Sequence, residues 1–135
     1  MTKVNIISPP DKIYSDSFTI LIVYPNPNVQ SELQKWLLSL ENFSANVYFY
    51  NENSFNEENA KWLLDVFNIS DITIIDIDNV PSHSNINQLL SYMIAKPKTY
   101  WLTNYQYLVY NLLSNNRVYD LSFLSSIGVS NDKKQ

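Results

Sequence analysis

The chain has 135 residues, a formal net charge of −4 and 16% charged residues, against about 25% in an average soluble domain. It holds no Cys, one His and one Gly, which excludes disulfides, thiolate metal sites, His-rich metal sites and Gly-rich phosphate loops. The negative balance argues against broad electrostatic binding to nucleic acid or anionic lipid.

Residues 1–17 read as an extended arm. The start has no apolar core long enough for a signal peptide. No apolar run approaches the ~18 residues that span a bilayer. The expected location is therefore the cytoplasm, or a host cytoplasm or virion if the chain is phage-encoded. Asn occurs 18 times and Arg117 is the sole Arg, a bias typical of AT-rich genomes, including many phages. Within the arm, Val4 to Ile7 is a short apolar piece suited to a sheet edge or a partner. Pro9-Pro10 then bars helix and central strand.

Residues 18–129 read as a single α/β domain. Phe18 to Tyr24 is a nearly continuous apolar, β-branched run, as in a strand buried on both faces. Asn26 is placed to cap a helix with Pro27 at its first position. Val29, Leu33, Trp36, Leu37 and Leu40 follow at helical spacing. Asn46 to Tyr50 is a second strand. Ser54 and Glu57 match a capping box for a helix with Ala60, Leu63, Leu64 and Phe67 on its stripe, widened by Trp62 and Val66.

Asp71 to Asp78 is the third strand, and Pro81 and His83 stand in the loop after it. Ile86, Leu89, Leu90, Met93 and Ile94 define a third helix. Lys98 to Thr103 is the fourth strand. A fourth helix carries Tyr105, Leu108, Val109, Leu112 and Leu113 behind an Asn104 cap. Arg117 to Tyr119 is a short fifth strand. A last turn ends at Gly128, and 130–135 is a polar tail.

This alternation predicts a three-layer α/β sandwich around a five-stranded parallel sheet. The flavodoxin-like order 2-1-3-4-5 is the commonest at this size. Ligands in such sheets bind beyond the carboxyl ends of the strands, where the order reverses. The candidate crevice is Tyr24, Pro25 and Asn26, then Asp76, Asp78 and Asn79, with Thr103, Asn104 and Tyr105 nearby. Asp76 and Asp78 are the candidate catalytic carboxylates. If both lie on the strand they share a face and can split their pKa values or hold a hard cation. If Asp78 already lies in the loop, it turns or caps the chain. His83 is the one imidazole available as a base, in an exposed-loop context. No metal site and no cofactor are expected. Tyr105, Tyr107 and Tyr110 are candidate interface residues, being aromatics with a polar tip.

Asp76 and Thr103 at the ends of the third and fourth strands resemble a response-regulator receiver. Tyr24-Pro25-Asn26 stands where receivers place an acidic pair, and Tyr119-Asp120 where they place a Lys. The resemblance thus implies a degenerate receiver-like domain. Residues 57–102 resemble the nucleoside 2-deoxyribosyltransferases. The likeness rests on Trp62, Ser70-Asp71, the strand Ile72 to Asp76, the helix Ile86 to Ala95, and Lys96-Pro97-Lys98. That family's nucleophilic Glu falls at Asn87 or Gln88, and an amide cannot replace it. The resemblance implies a relative without the chemistry.

The expected function is a non-catalytic interaction protein, phage-encoded, serving in assembly or acting on a host protein. Its partner is another protein or a second copy, with no membrane and no direct nucleic-acid contact. The alternative is a nucleoside- or nucleotide-binding protein, or a deoxyribosyltransferase-like enzyme, using the crevice.

Overall fold

The structure, a computed structural model, describes residues 3–39, 44–82 and 84–102. It contains strands β1 (Lys3–Ile7), β2 (Phe18–Val23), β3 (Ser44–Tyr50), β4 (Ile72–Asp76) and β5 (Thr99–Leu102). Helices α1 (Pro27–Ser39), α2 (Glu57–Ile69) and α3 (Ser84–Ile94) connect them, and a 3₁₀ turn, Ile77–Asn79, follows β4. All strand pairs are parallel, in the order β1-β3-β2-β4-β5.

The predicted α/β class with a five-stranded parallel sheet is therefore present. Strands β2 to β5 take the places expected of the first four predicted strands. The order differs from 2-1-3-4-5 because the fifth described strand comes from the N-terminal piece. It pairs with β3 from Lys3↔Ser44 to Ile7↔Tyr48. Ile7 is buried against the core, and Val4 packs from the opposite face. The Asn5 side chain donates to Asn46 Oδ1 at 3.0 Å, which reinforces the register. The predicted strand at 117–119, the fourth helix, Gly128 and the tail lie outside the described residues.

The sheet is covered on both faces. Ile20, Ile22, Val47, Phe49 and Ile74 face Leu33 and Leu37 of α1. Leu21, Val23, Tyr48, Tyr50 and Ile75 face α2 and α3. This split follows from the strand order. The chain steps one way from β2 to β3 and the other way from β3 to β4 and β5. Right-handed crossovers then put α1 on one face and α2 with α3 on the other.

On α2 the buried stripe is centred on Trp62, Leu63, Val66 and Phe67, while Ala60 and Leu64 are half-buried. The aromatic residues of β3 set this rotation. The Trp62 ring stacks on Tyr50 at 6.2 Å and meets Tyr48 edge-on at 5.8 Å. On α3, Ile86, Leu90 and Met93 are buried.

Asn26 caps α1 as expected, its Oδ1 accepting from the Val29 N–H at 2.9 Å. The α2 cap differs from the Ser54/Glu57 box. Asn56 is the cap, and its Oδ1 accepts from the Asn59 N–H at 2.9 Å. Glu57 and Glu58 then occupy the first turn, where the helix dipole favours acid. Ser54 belongs to the preceding turn, its carbonyl accepting from the Asn59 side chain.

The segment 8–17 returns the chain from β1 to β2 across the α2 face of the sheet. Tyr48 Oη accepts from the Tyr14 N–H at 2.7 Å and donates to the Tyr14 carbonyl at 3.1 Å. Trp62 Nε1 donates to the Asp11 carbonyl at 2.9 Å. A Tyr48→Phe variant keeps the ring contacts and loses both hydroxyl bonds. It should lower unfolding free energy by about 1–2 kcal/mol, read as a shifted urea midpoint at unchanged slope.

Candidate functional site

The strand order reverses between β2 and β4, and the carboxyl ends of β2, β3 and β4 frame a crevice of about 560 Å³. Gln30, Ser31 and Gln34 line it from α1, and Asn51, Asn53 and Asn79 from the turns after β3 and β4. Tyr24, Pro25, Pro27 and Pro81 complete the wall. Pro27, Gln30, Ser31 and Gln34 recur at i, i+3, i+4 and i+7, so they form one flank of α1 beside its apolar stripe. The crevice thus follows from helix periodicity and from the place where β3 runs out into Asn51-Glu52-Asn53.

Tyr24 is the most constrained residue of the site. Its φ is 52°, in the left-handed region, and it is the only non-Gly residue with positive φ among those described. Such a backbone costs an L-residue roughly 1–2 kcal/mol. Neighbours hold it there. The Tyr24 N–H donates to the Tyr50 carbonyl, Asn79 Nδ2 donates to the Tyr24 carbonyl, and Tyr24 Oη donates to the Glu52 carbonyl, each at 2.8 Å. The ring meets Tyr50 edge-on at 5.6 Å. Burial raises the pKa of the Tyr24 phenol, and the charge of Glu52 adds to the rise.

Asp76 ends β4 and is 3% exposed. Its Oδ2 accepts from the Asn26 N–H at 3.0 Å. Burial pushes its pKa above the usual carboxylate value, while the Asn26 hydrogen bond works against the rise and the Asp78 charge adds to it. Asp78 lies in the 3₁₀ turn and is exposed. The strand alternation that would put both carboxylates on one face stops at Asp76, so Asp76 is buried while Asp78 is exposed beside it.

Of the predicted crevice residues, Tyr24, Pro25 and Asn79 line the cavity. Asn26 and Asp76 join the β2–α1 turn to β4 instead. Thr103, Asn104, His83, Tyr105, Tyr107 and Tyr110 lie outside the described residues. Sequence reasoning missed Gln30, Ser31, Gln34, Asn51, Asn53 and Pro81. The available signal was the pair of Gln residues one helical turn apart after Asn26, and the two Asn directly after the second strand. Asn87, where the resemblance placed a nucleophile, lines a different cavity of about 390 Å³ with Ile75, Ile77, Leu90 and Ile94.

Among the described residues no three His, Cys, Asp or Glu side chains gather into a metal-binding group. Among the same residues no helix is long and apolar enough to cross a membrane. The lining side chains are carboxamides, a hydroxyl, a phenol and prolines. The polar ones among them donate and accept hydrogen bonds, and none titrates near neutral pH.

The raised pKa of Asp76 gives a test with a defined sign. Its native value lies above the ordinary 3.8, so the folded state holds the proton more tightly than the unfolded chain. Its contribution to stability is full below the ordinary value and declines as pH rises through the native one. Asp76→Asn keeps an acceptor for the Asn26 N–H and should remove that decline, read from urea midpoints between about pH 3 and about pH 7. Asp76→Leu strands the Asn26 N–H and should cost about 1–3 kcal/mol at neutral pH.

Comparison of the chain with protein-family models, curated proteins and solved structures yields no match.

Proposed function

We propose that the chain works by binding, and that the crevice at the ends of β2, β3 and β4 takes a small polar ligand without making or breaking a bond in it. The observation that carries this reading is the crevice itself. It sits at the topological switch point, has a volume within the ~300–1,000 Å³ usual for ligand sites, and takes half of its ten lining side chains from carboxamides. Five carboxamides (Gln30, Gln34, Asn51, Asn53 and Asn79) provide orientation and specificity. The Asp76 Oδ2 accepts from the Asn26 N–H and so serves the turn. The resemblance to the deoxyribosyltransferases, a family that acts on nucleosides, suggests the first ligands, although Asn87, at the place of that family's nucleophile, lines the other cavity. Nucleosides are therefore among the ligands to try.

A protein partner is the second reading, and the surface around β1 favours it. Ile6 is 53% exposed and Tyr14 46% exposed, beside a strand at the end of the sheet order. Apolar side chains on an edge strand invite pairing with another chain. In that case the chain is the assembly or host-directed factor expected from its sequence. Light scattering behind size exclusion would show a complex that Ile6→Lys disperses.

The binding reading is tested by thermal shift with nucleosides, nucleotides, sugars and small amides, with chromatography of the recovered ligand. At least one compound should raise the Tm of the wild type and return chemically intact. Ser31→Trp, which fills the crevice, should abolish that shift. No shift with any compound would sink the binding reading. A consumed compound would make the chain an enzyme.

A further inference from the structure

We infer that the crevice selects uncharged ligands bearing neighbouring hydrogen-bond donors and acceptors, and rejects their phosphorylated forms. The inference rests on the binding reading and specifies its ligand. A doubly wound sheet usually holds phosphate on the free amides at the first helix N-terminus after the switch-point strand. In this chain those amides, the Asn28 N–H excepted, are absent or spent. Pro27, the first residue of α1, has no N–H. The Val29 N–H is taken by the Asn26 side chain, and the Gln30 N–H by the Asn26 carbonyl at 2.8 Å. The Asn26 N–H itself is bound by the Asp76 carboxylate. An anion approaching this turn would find a carboxylate already on the amide it needs.

The surrounding charge has the same sign. Among the described residues no Lys or Arg lines the crevice. Glu52 lies between the lining residues Asn51 and Asn53, and Asp78 directly precedes Asn79. Transfer of a phosphate from water into this setting is opposed by both desolvation and repulsion.

The lining does suit a neutral polar molecule. Among the described residues the side chains of Gln30, Gln34 and Asn51 make no hydrogen bond, so each offers an NH₂ donor pair and a carbonyl acceptor. Carboxamides bind in pairs of hydrogen bonds to any group that places a donor beside an acceptor. Amides, heterocyclic edges and vicinal hydroxyls all fit that description. Pro25, Pro27 and Pro81 add rigid apolar wall.

Matched pairs separate these possibilities: adenosine with its monophosphate, uridine with its monophosphate, and glucose with its phosphate, titrated by calorimetry. The neutral member of at least one pair should bind about tenfold or more tightly than its phosphorylated partner. Gln30→Ala, a truncation on the helix surface that spares the core, should weaken that binding. Gln34→Lys should bring the two members of the pair to within about threefold, by supplying the missing cation. A phosphorylated member that binds equally or more tightly, and is displaced by Gln30→Ala, would overturn the inference while leaving the crevice a ligand site. Binding of either member that Gln30→Ala and Ser31→Trp both leave unchanged would overturn the binding reading and the inference together, as would no binding at all.

Discussion

Asn26 is held from two sides at once, and the geometry of the switch point depends on it. Its backbone N–H is fixed to Asp76 at the end of β4, and its side chain closes the first turn of α1. One residue thus ties the end of β2, the start of α1 and the end of β4 to a common point. A glycine-rich turn reaches the same place by leaving its amides open. Here the Asn26, Val29 and Gln30 amides are satisfied internally, so these polar groups stabilise the fold and are unavailable to a ligand. The recognition surface is displaced outward, onto the flank of α1 and the turns after β3 and β4.

That displacement explains the cost carried at Tyr24. The chain must turn sharply out of β2, and the residue at the turn has a left-handed backbone although it is aromatic. The strain is offset by three hydrogen bonds and by an edge-on ring contact with Tyr50. The same contacts position Asn79, which both steadies Tyr24 and lines the crevice. Rigidity of the turn and shape of the site are therefore one property. The Tyr50, Tyr48 and Trp62 rings extend this rigid region inward to α2 and to the 8–17 segment.

The strands and helices were legible in the residues because β2 and β4 are β-branched and apolar, and α1 and α3 have clean stripes. The alternation also sufficed to place the crevice at the β2/β4 reversal. Two kinds of information were not local. The pairing of Lys3–Ile7 with β3 depends on a surface that exists only once the sheet has formed, so the residues before the Pro-Pro pair read as an arm whose Val4 to Ile7 piece suits a sheet edge or a partner, without saying which strand receives it. The crevice wall depends on which flank of α1 turns toward the Asn51-Glu52-Asn53 segment, and amide side chains have no hydrophobic period to announce it. The α2 start was misplaced by two residues for a simpler reason. Ser54 and Asn56 are both good caps, and Asn56 has the acidic residues in the right turn.

The pairing of β1 has a consequence for how the chain is made. Lys3 lies opposite Ser44, a separation of 41 residues, and the two strands run parallel. Synthesis delivers β1 first, yet its hydrogen-bonding neighbour leaves the ribosome only after β2 and α1 have emerged. Until then Val4, Ile6 and Ile7 travel as an unmatched apolar segment, exposed to mispairing in the way of any nascent strand. The closing of the sheet at that side therefore waits on β3 in vectorial folding, and the β2–α1–β3 crossover is the template that must be ready to receive it.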